Sequence, residues 1–266
     1  MTDKIDTLLL RMAHSLERLA PPPAPEADLS VGNAFRFDGT HLHPVAKPNA
    51  LPLERFAGVD QQKAALAQNI RALARGAASH DMMLWGSRGM GKSALVRSIA
   101  LAEGVALVQA PGDVLGNLPA LFARLERAKR PFLLFVDDLA YSAADPDVRA
   151  LRSLLDGGIA ERPENVRLAV TSNHRHLVER PPADSRHARD SSDDQLALVD
   201  RFGLVLGFHA PDQPTWLEMV RRHLDAEGLE LDEADAIAFA LARGGRSGRT
   251  AWHYRTELLT RRAAGN

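Results

Sequence analysis

Cysteine is absent from the 266 residues. That excludes disulfide frameworks and Cys-based zinc sites, and it fits a reducing, cytoplasmic setting. An excess of charge of either sign is also missing: 33 Lys and Arg stand against 34 Asp and Glu, a formal net charge of −1. Whole-molecule attraction to nucleic acid or to an anionic membrane therefore has no support, although a local basic patch stays open. No apolar run approaches the roughly 18 residues a membrane span needs, so no span is expected. The stretch 1–20 carries Asp3, Asp6, Arg11 and Glu17 among its apolar positions. It lacks the basic start and unbroken apolar run of a secretory leader. Internal repeats are lacking too.

What is present is ordinary globular material, 45% hydrophobic and 25% charged, enough for one large domain or two modest ones. Leu8, Leu9, Met12, Leu16 and Leu19 recur at helical spacing, which predicts an amphipathic helix over 3–20. Pro21-Pro22-Pro23-Ala24-Pro25 ends it as a stiff linker. Ala34–Phe37 and His41–His43 flank Asp38-Gly39-Thr40, the pattern of a short hairpin.

From about residue 60 a βα rhythm sets in. Helices are predicted at 60–76, 92–102, 117–128 and 147–156. Between and after them lie the strands Met82–Trp85, Val105–Val108, Phe132–Val136, Val166–Thr171 and Gly203–Phe208. Strands apolar on both faces and separated by helices predict a five-stranded parallel sheet covered on both sides. The polar stretch Arg180–Asp194 reads as an exposed loop. After Pro211 only helical patterns remain, at 213–227, 232–243 and 248–264. The expected organisation is thus a helix, linker and hairpin over 1–50, an α/β domain over 51–210, and a helical subdomain over 211–266.

Gly86-Ser87-Arg88-Gly89-Met90-Gly91-Lys92-Ser93 matches the Walker A, or P-loop, pattern G-x-x-x-x-G-K-S/T. Glycines let backbone N–H groups curl around phosphate oxygens with no Cβ in the way. The next helix adds its positive N-terminal end. Lys92 is expected on the β- and γ-phosphates, and the Ser93 hydroxyl on Mg²⁺. Ala94 continues the cradle. By chance such a pattern arises in about one chain of this length in a hundred, and here it also sits between a predicted strand and a helix, as the chemistry requires. The expected ligand is ATP with Mg²⁺.

Phe132–Val136 followed by Asp137-Asp138 matches a Walker B strand. An acid at the C-terminal end of a parallel strand points toward the crevice where ligands bind. Asp137 is expected to hold Mg²⁺ through its water shell, and Asp138 to orient or deprotonate the attacking water. Alone, an apolar strand ending in acids is as often a solvated strand end; the upstream P-loop makes it informative.

These motifs and several segments downstream resemble the AAA+ ATPases over about residues 50–264. Thr171-Ser172-Asn173 is similar to that family's sensor-1 motif, which implies that Asn173 meets the γ-phosphate or the lytic water. Asp200-Arg201-Phe202-Gly203 resembles its arginine-finger motif, with Arg201 the finger. Gly244–Ala251 resembles sensor 2, with Arg249 the first choice and Arg246 the second. Phe56-Ala57-Gly58-Val59 resembles the segment that borders adenine, which brings in Phe56 and Val59. The chain is still more similar to the bacterial domain-of-unknown-function family 815, predicted AAA+ ATPases, on Leu84–Gly89, Asp137-Asp138-Leu139 and Leu155-Asp156-Gly157-Gly158-Ile159. That likeness continues through Thr171-Ser172-Asn173, Asp200–Gly203 and Gly244–Arg249.

The resemblance implies ATP hydrolysis coupled to conformational change in a homo-oligomer that remodels or loads an unknown protein or nucleic-acid partner, with 51–210 the nucleotide-binding domain and 211–266 its helical lid. The second Walker B acid is usually Glu in the wider family; Asp138 is shorter by about 1.5 Å, one C–C bond. Slow turnover is expected rather than none, since positioning and charge stabilisation carry most phosphoryl-transfer catalysis. Two alternatives stand beside this one. A switch that holds ATP and barely hydrolyses it could use helix 3–20 to dock a partner. A small-molecule kinase is the other, and the arginines in separate motifs argue against it.

The remaining polar residues have plainer roles. His41 with His43, and His174 with His176, alternate without a further ligand cluster, so surface or packing roles are expected. Trp85 beside the P-loop reads as core. Arg261 and Arg262 suit the last turn of a helix, where the dipole favours cations. Arg249 near a helix start opposes the dipole, so a ligand there explains it better. Arg201 could instead be a surface residue paired with Asp200.

Overall fold

Strands that are apolar on both faces need cover on both faces, and that requirement organises this chain. The computed structural model describes residues 2–19, 27–139, 146–156, 163–173 and 198–265. In chain order the helices are α1 (Thr2–Leu19), α2 (Asp60–Ala74), α3 (Lys92–Ala102), α4 (Leu118–Arg127), α5 (Pro146–Leu155), α6 (Gln213–Asp225), α7 (Glu233–Ala242) and α8 (Gly248–Ala264). The strands are β1 (Ala34–Phe37), β2 (Leu42–Pro44), β3 (Met82–Gly86), β4 (Ala106–Ala110), β5 (Phe132–Val136), β6 (Val166–Ser172) and β7 (Leu204–Phe208). The linker Pro21–Pro25, the stretch Arg180–Asp194, the pair His174 and His176, and Gly157–Ile159 lie outside the described residues.

One sheet runs β2-β1-β4-β5-β6-β3-β7. The strands β4, β5, β6, β3 and β7 are mutually parallel, as the βα rhythm predicts. The expected strand count of five is corrected to seven, because the hairpin joins the same sheet: β1 pairs parallel with β4 and antiparallel with β2. A two-stranded hairpin is marginal alone. Pairing with β4 gives β1 a second ladder and buries Phe35 and Phe37 in the apolar cluster that holds Val108 and Leu134. The hairpin turn is held by Asp38, whose Oδ1 accepts from the backbone of Thr40 at 2.9 Å and His41 at 2.7 Å. His43 Nε2 lies 2.6 Å from its Oδ2. These bonds, the His41 N–H first, hold the Asp38 carboxyl well below the usual range.

Strand periodicity divides the core. Leu133 and Phe135 of β5 and Met82 and Leu84 of β3 face one way, against Leu66 and Ile70 of α2 and Leu95 and Ile99 of α3. Phe132, Leu134 and Val136, with Met83, face the other way, against Leu118, Leu121 and Leu125 of α4. Successive residues of a strand point to opposite faces, so the near-continuous apolar runs fill both layers.

Helices α6 to α8 come after β7 and share the first of these clusters through Trp216, Val220 and Tyr254. Each helix starts on a side-chain cap: Asp212 accepts from Thr215 N at 2.9 Å, Asp232 from Ala234 N at 3.0 Å, and Ser247 forms a reciprocal box with Thr250. Trp216, fully buried, donates from Nε1 to Ser247 O at 3.1 Å and so ties α6 to the start of α8. Arg222 of α6 donates to Phe56 O at 2.8 Å. The helical unit is thereby fixed to the segment that precedes α2. Helix α1 exposes Ile5, Leu9, Leu10 and Met12. Among the described residues no helix is long and apolar enough to cross a membrane.

Candidate active site

The parallel strands β3, β5 and β6 end at one edge of the sheet, and the turn after β3 carries the P-loop. Gly86 is the pivot. Its φ is +120°, and a Cβ there would lie 2.1 Å from Phe208 O of the paired strand. Ser87 N then donates to Phe208 O at 2.7 Å. Side chains are excluded by space as well as by conformation. Gly89, at φ +78°, sits against the start of α8: Arg249 N donates to Gly89 O at 2.9 Å. Gly91 leads directly into α3.

Lys92, the first residue of α3, is only 5% exposed. Its Nζ donates to Gly86 O at 2.9 Å, Ser87 O at 3.0 Å and Asn173 Oδ1 at 2.9 Å. Burial pulls its pKa below the ordinary lysine range, against the opposing attraction of Asp138 and Asp137. The ammonium thus stands among neutral oxygens beside two carboxylates, a position from which an anionic ligand would draw it.

Ser93 Oγ donates to Asp137 Oδ1 at 2.5 Å, and Thr171 Oγ1 donates to the same oxygen at 2.7 Å. Arg97 Nη1 lies 4.0 Å from Asp137 Oδ2. A hydroxyl and a carboxylate side by side are hard oxygen donors of the kind Mg²⁺ takes together with retained waters. These two residues fit that ion. Asp138 has φ 53°, in the left-handed region, which Asp tolerates better than most residues. Its N–H donates to Thr171 Oγ1 at 2.9 Å. Asn173 Nδ2 donates to Asp138 Oδ1, so Asn173 spans from Lys92 to Asp138. Arg88 Nη2 stands 3.8 Å from Asp138 Oδ2, and both groups are exposed. In water such a pair contributes little.

Of these groups Arg88 to Ser93, Arg97, Asp137, Asp138, Thr171, Asn173 and Arg249 line one cleft of about 490 Å³, while Gly86 and Ser87 lie behind its lining; that volume is within the usual size for a small-ligand site. Arg88 to Ala94 form one wall, with Asp137, Asp138, Thr171 and Asn173 at the strand ends. Phe56 and Val59 enter from the segment before α2, and Arg249 from α8. Gly86 and Ser87 contribute the carbonyls beneath Lys92.

The family model described as protein of unknown function (DUF815) matches residues 31–262. The chain belongs to this family. It is also 28% identical over 217 residues to the Holliday junction branch migration complex subunit RuvB of Dehalococcoides mccartyi (strain CBDB1), covering 78% of this chain and 58% of that protein. Among solved structures, the Thermotoga maritima RuvB Holliday junction branch migration motor superposes with a TM-score of 0.53 at 23% identity, over 77% of this chain and 62% of that one. A mutant of the same protein gives a TM-score of 0.54 at 21% identity, covering 79% and 64%. This member of the family therefore has a RuvB-like AAA+ fold, and it spans about three-fifths of the RuvB chains it matches.

Two expected site residues lie elsewhere. Arg201 is outside the cleft. Its Nη2 donates to Asp156 Oδ2 at 3.0 Å and its Nε to Oδ1, and that bond holds the Asp156 pKa down. Arg246, the second choice for sensor 2, reaches Gln213 Oε1 at 3.2 Å instead, leaving Arg249 on the cleft. Sequence reasoning passed over the individual role of Thr171, which holds both aspartates. Its place follows from strand register: β5 and β6 pair Val136 with Val170, so the next residues, 137 and 171, are neighbours. His223 and Trp252 also line the cleft and showed nothing but helical periodicity.

Proposed function

We propose that the chain is a Mg²⁺-dependent ATP hydrolase whose turnover drives conformational change in a homo-oligomer and so remodels a macromolecular partner. The observation that carries this is the convergence of Lys92, the Ser93–Asp137 pair and the Asp138–Asn173 pair on one cleft. In this reading Lys92 exchanges its bonds to the Gly86 and Ser87 carbonyls for β- and γ-phosphate oxygens, while Gly89 to Ser93 offer backbone N–H groups. Ser93 and Asp137 would hold Mg²⁺, which would supply positive charge to offset the negative charge that develops on the phosphates. Asp138 and Asn173 orient a water toward the γ-phosphorus. The new P–O bond forms as the bond to the ADP oxygen breaks, and the water's proton leaves toward Asp138. Arg249 reaches the phosphates from the lid, which couples their loss to lid position. Phe56 and Val59 flank the base.

Arg201 acts in this proposal on the nucleotide of a neighbouring subunit, which is consistent with its place outside its own cleft. The RuvB relatives are described as Holliday junction branch migration proteins. A nucleic-acid partner for this chain is an extension from that likeness, with a protein partner the other candidate, and a cytoplasmic setting goes with either. A second reading, an ATP-held switch with slow hydrolysis, draws on Asp138. It is short, and its carboxylate is already engaged by Asn173.

Binding of a fluorescent ATP analogue to wild type and to Lys92→Ala tests the site. Affinity should be lost in the variant with its far-ultraviolet circular dichroism unchanged; equal binding would overturn the nucleotide assignment. Single-turnover hydrolysis by wild type then separates motor from switch.

A further inference from the structure

Arg201 takes a carboxylate partner from 45 residues away in the chain. Asp156 follows the last residue of α5, and its N–H donates to Arg152 O at 2.9 Å, so the helical ladder runs on to it. Leu151 of α5 is fully buried in the apolar cluster that also takes Leu198, Val199 and Phe202. Around Arg201 the backbone closes a turn on those same residues. Arg201 N donates to Leu198 O at 3.2 Å, and Phe202 N to Val199 O at 3.0 Å. Both side chains of the pair therefore leave anchored backbone.

The contact between them is a fork. Nε and Nη2 of Arg201 donate to Oδ1 and Oδ2 of Asp156, and two such bonds set the plane of a guanidinium as well as its place. Arg201 is 29% exposed and Asp156 47%. A pair this open to water adds little to stability. It does restrain a side chain that otherwise has many rotamers. What the pair supplies is orientation, and a guanidinium that must meet a phosphoryl group on another subunit depends on orientation.

Resting on the reading of Arg201 as a finger toward the neighbouring subunit, we propose that Asp156 is its positioning residue. The carboxylate aims the guanidinium at the neighbour's nucleotide and does not itself touch that nucleotide.

The test uses the full chain in pairs of variants. Lys92→Ala lends a finger but has no site; Arg201→Ala has a site but no finger. Mixed, they should regain part of the ATPase activity. Asp156→Asn added to the Lys92→Ala chain should cut the regained rate roughly tenfold or more, since a misplacement of about 1 Å can cost as much as 10²-fold. Asp156→Asn added to the Arg201→Ala chain, which has no finger to aim, should leave the regained rate as it was. A merely structural role would lower the rate in both arrangements, so an equal fall would overturn the proposal. So would an unchanged or faster rate in the first arrangement, or a finger-lending chain that no longer enters mixed oligomers by native mass spectrometry. If the parent pair forms mixed oligomers yet regains nothing, the trans-finger reading itself fails, and the positioning role with it.

Discussion

Lowering the pH should loosen this fold through His223 before most carboxylates are protonated. The imidazole has a pKa of about 4 in the folded chain against an ordinary 6.5, because burial disfavours its charged form and Arg55 and Arg255 add to that. For a base whose folded pKa is depressed, the unfolded state binds the extra proton first. The stability contribution is complete above pH 6.5 and is lost as the pH falls toward 4. The whole interval is worth on the order of 3 kcal/mol, and the part between pH 7 and pH 5 about 2 kcal/mol. Glu227, which pairs with both arginines, has its pKa lowered, chiefly by the hydrogen bond from Arg255, so it stays ionised through this window. The perturbation is His223→Asn, which keeps a polar side chain but cannot titrate. Urea unfolding of wild type and variant at pH 7 and pH 5 gives four free energies. Wild type should lose about 2 kcal/mol more than the variant over that interval, carboxylate effects common to both cancelling in the difference. Equal pH dependence in the two proteins would refute the argument and mean that the folded chain admits the imidazolium.

Asp138→Asn should bind ATP and stall, with single-turnover hydrolysis lost and analogue affinity kept, whereas Asp137→Ala should weaken binding only when Mg²⁺ is present. Hydrolysis by Asp138→Asn equal to wild type would leave the water to Asn173. An arginine finger is worth roughly 10³–10⁵ in rate, so Arg201→Ala should be nearly inactive. Mixing it with Lys92→Ala should restore part of the activity at mixed interfaces. Mixed oligomers seen by native mass spectrometry with activity still at zero would make Arg201 a cis or structural residue, held by Asp156 as in the single chain.

The P-loop and its strand were legible in the order of residues because their constraints are local. A backbone that turns at Gly86 with φ +120° and opens a helix at Lys92 needs small residues and one cation at set spacings, whatever the rest of the chain does. The apolar strands were legible for a similar reason, since burial on both faces leaves no room for alternation. What no spacing could decide was which distant residues share a space. The hairpin's place beside β4 depends on a free sheet edge and on the burial of Phe35 and Phe37. Arg249 rather than Arg246 reaches the cleft because the turn before α8 docks on Gly89. Thr171 holds both aspartates through the register of two paired strands. His223 and Trp252 meet across two helices whose patterns say only that one face is apolar. These are consequences of packing, where a residue's role comes from neighbours far away in the chain, and so they become visible only once the helices are laid on the sheet.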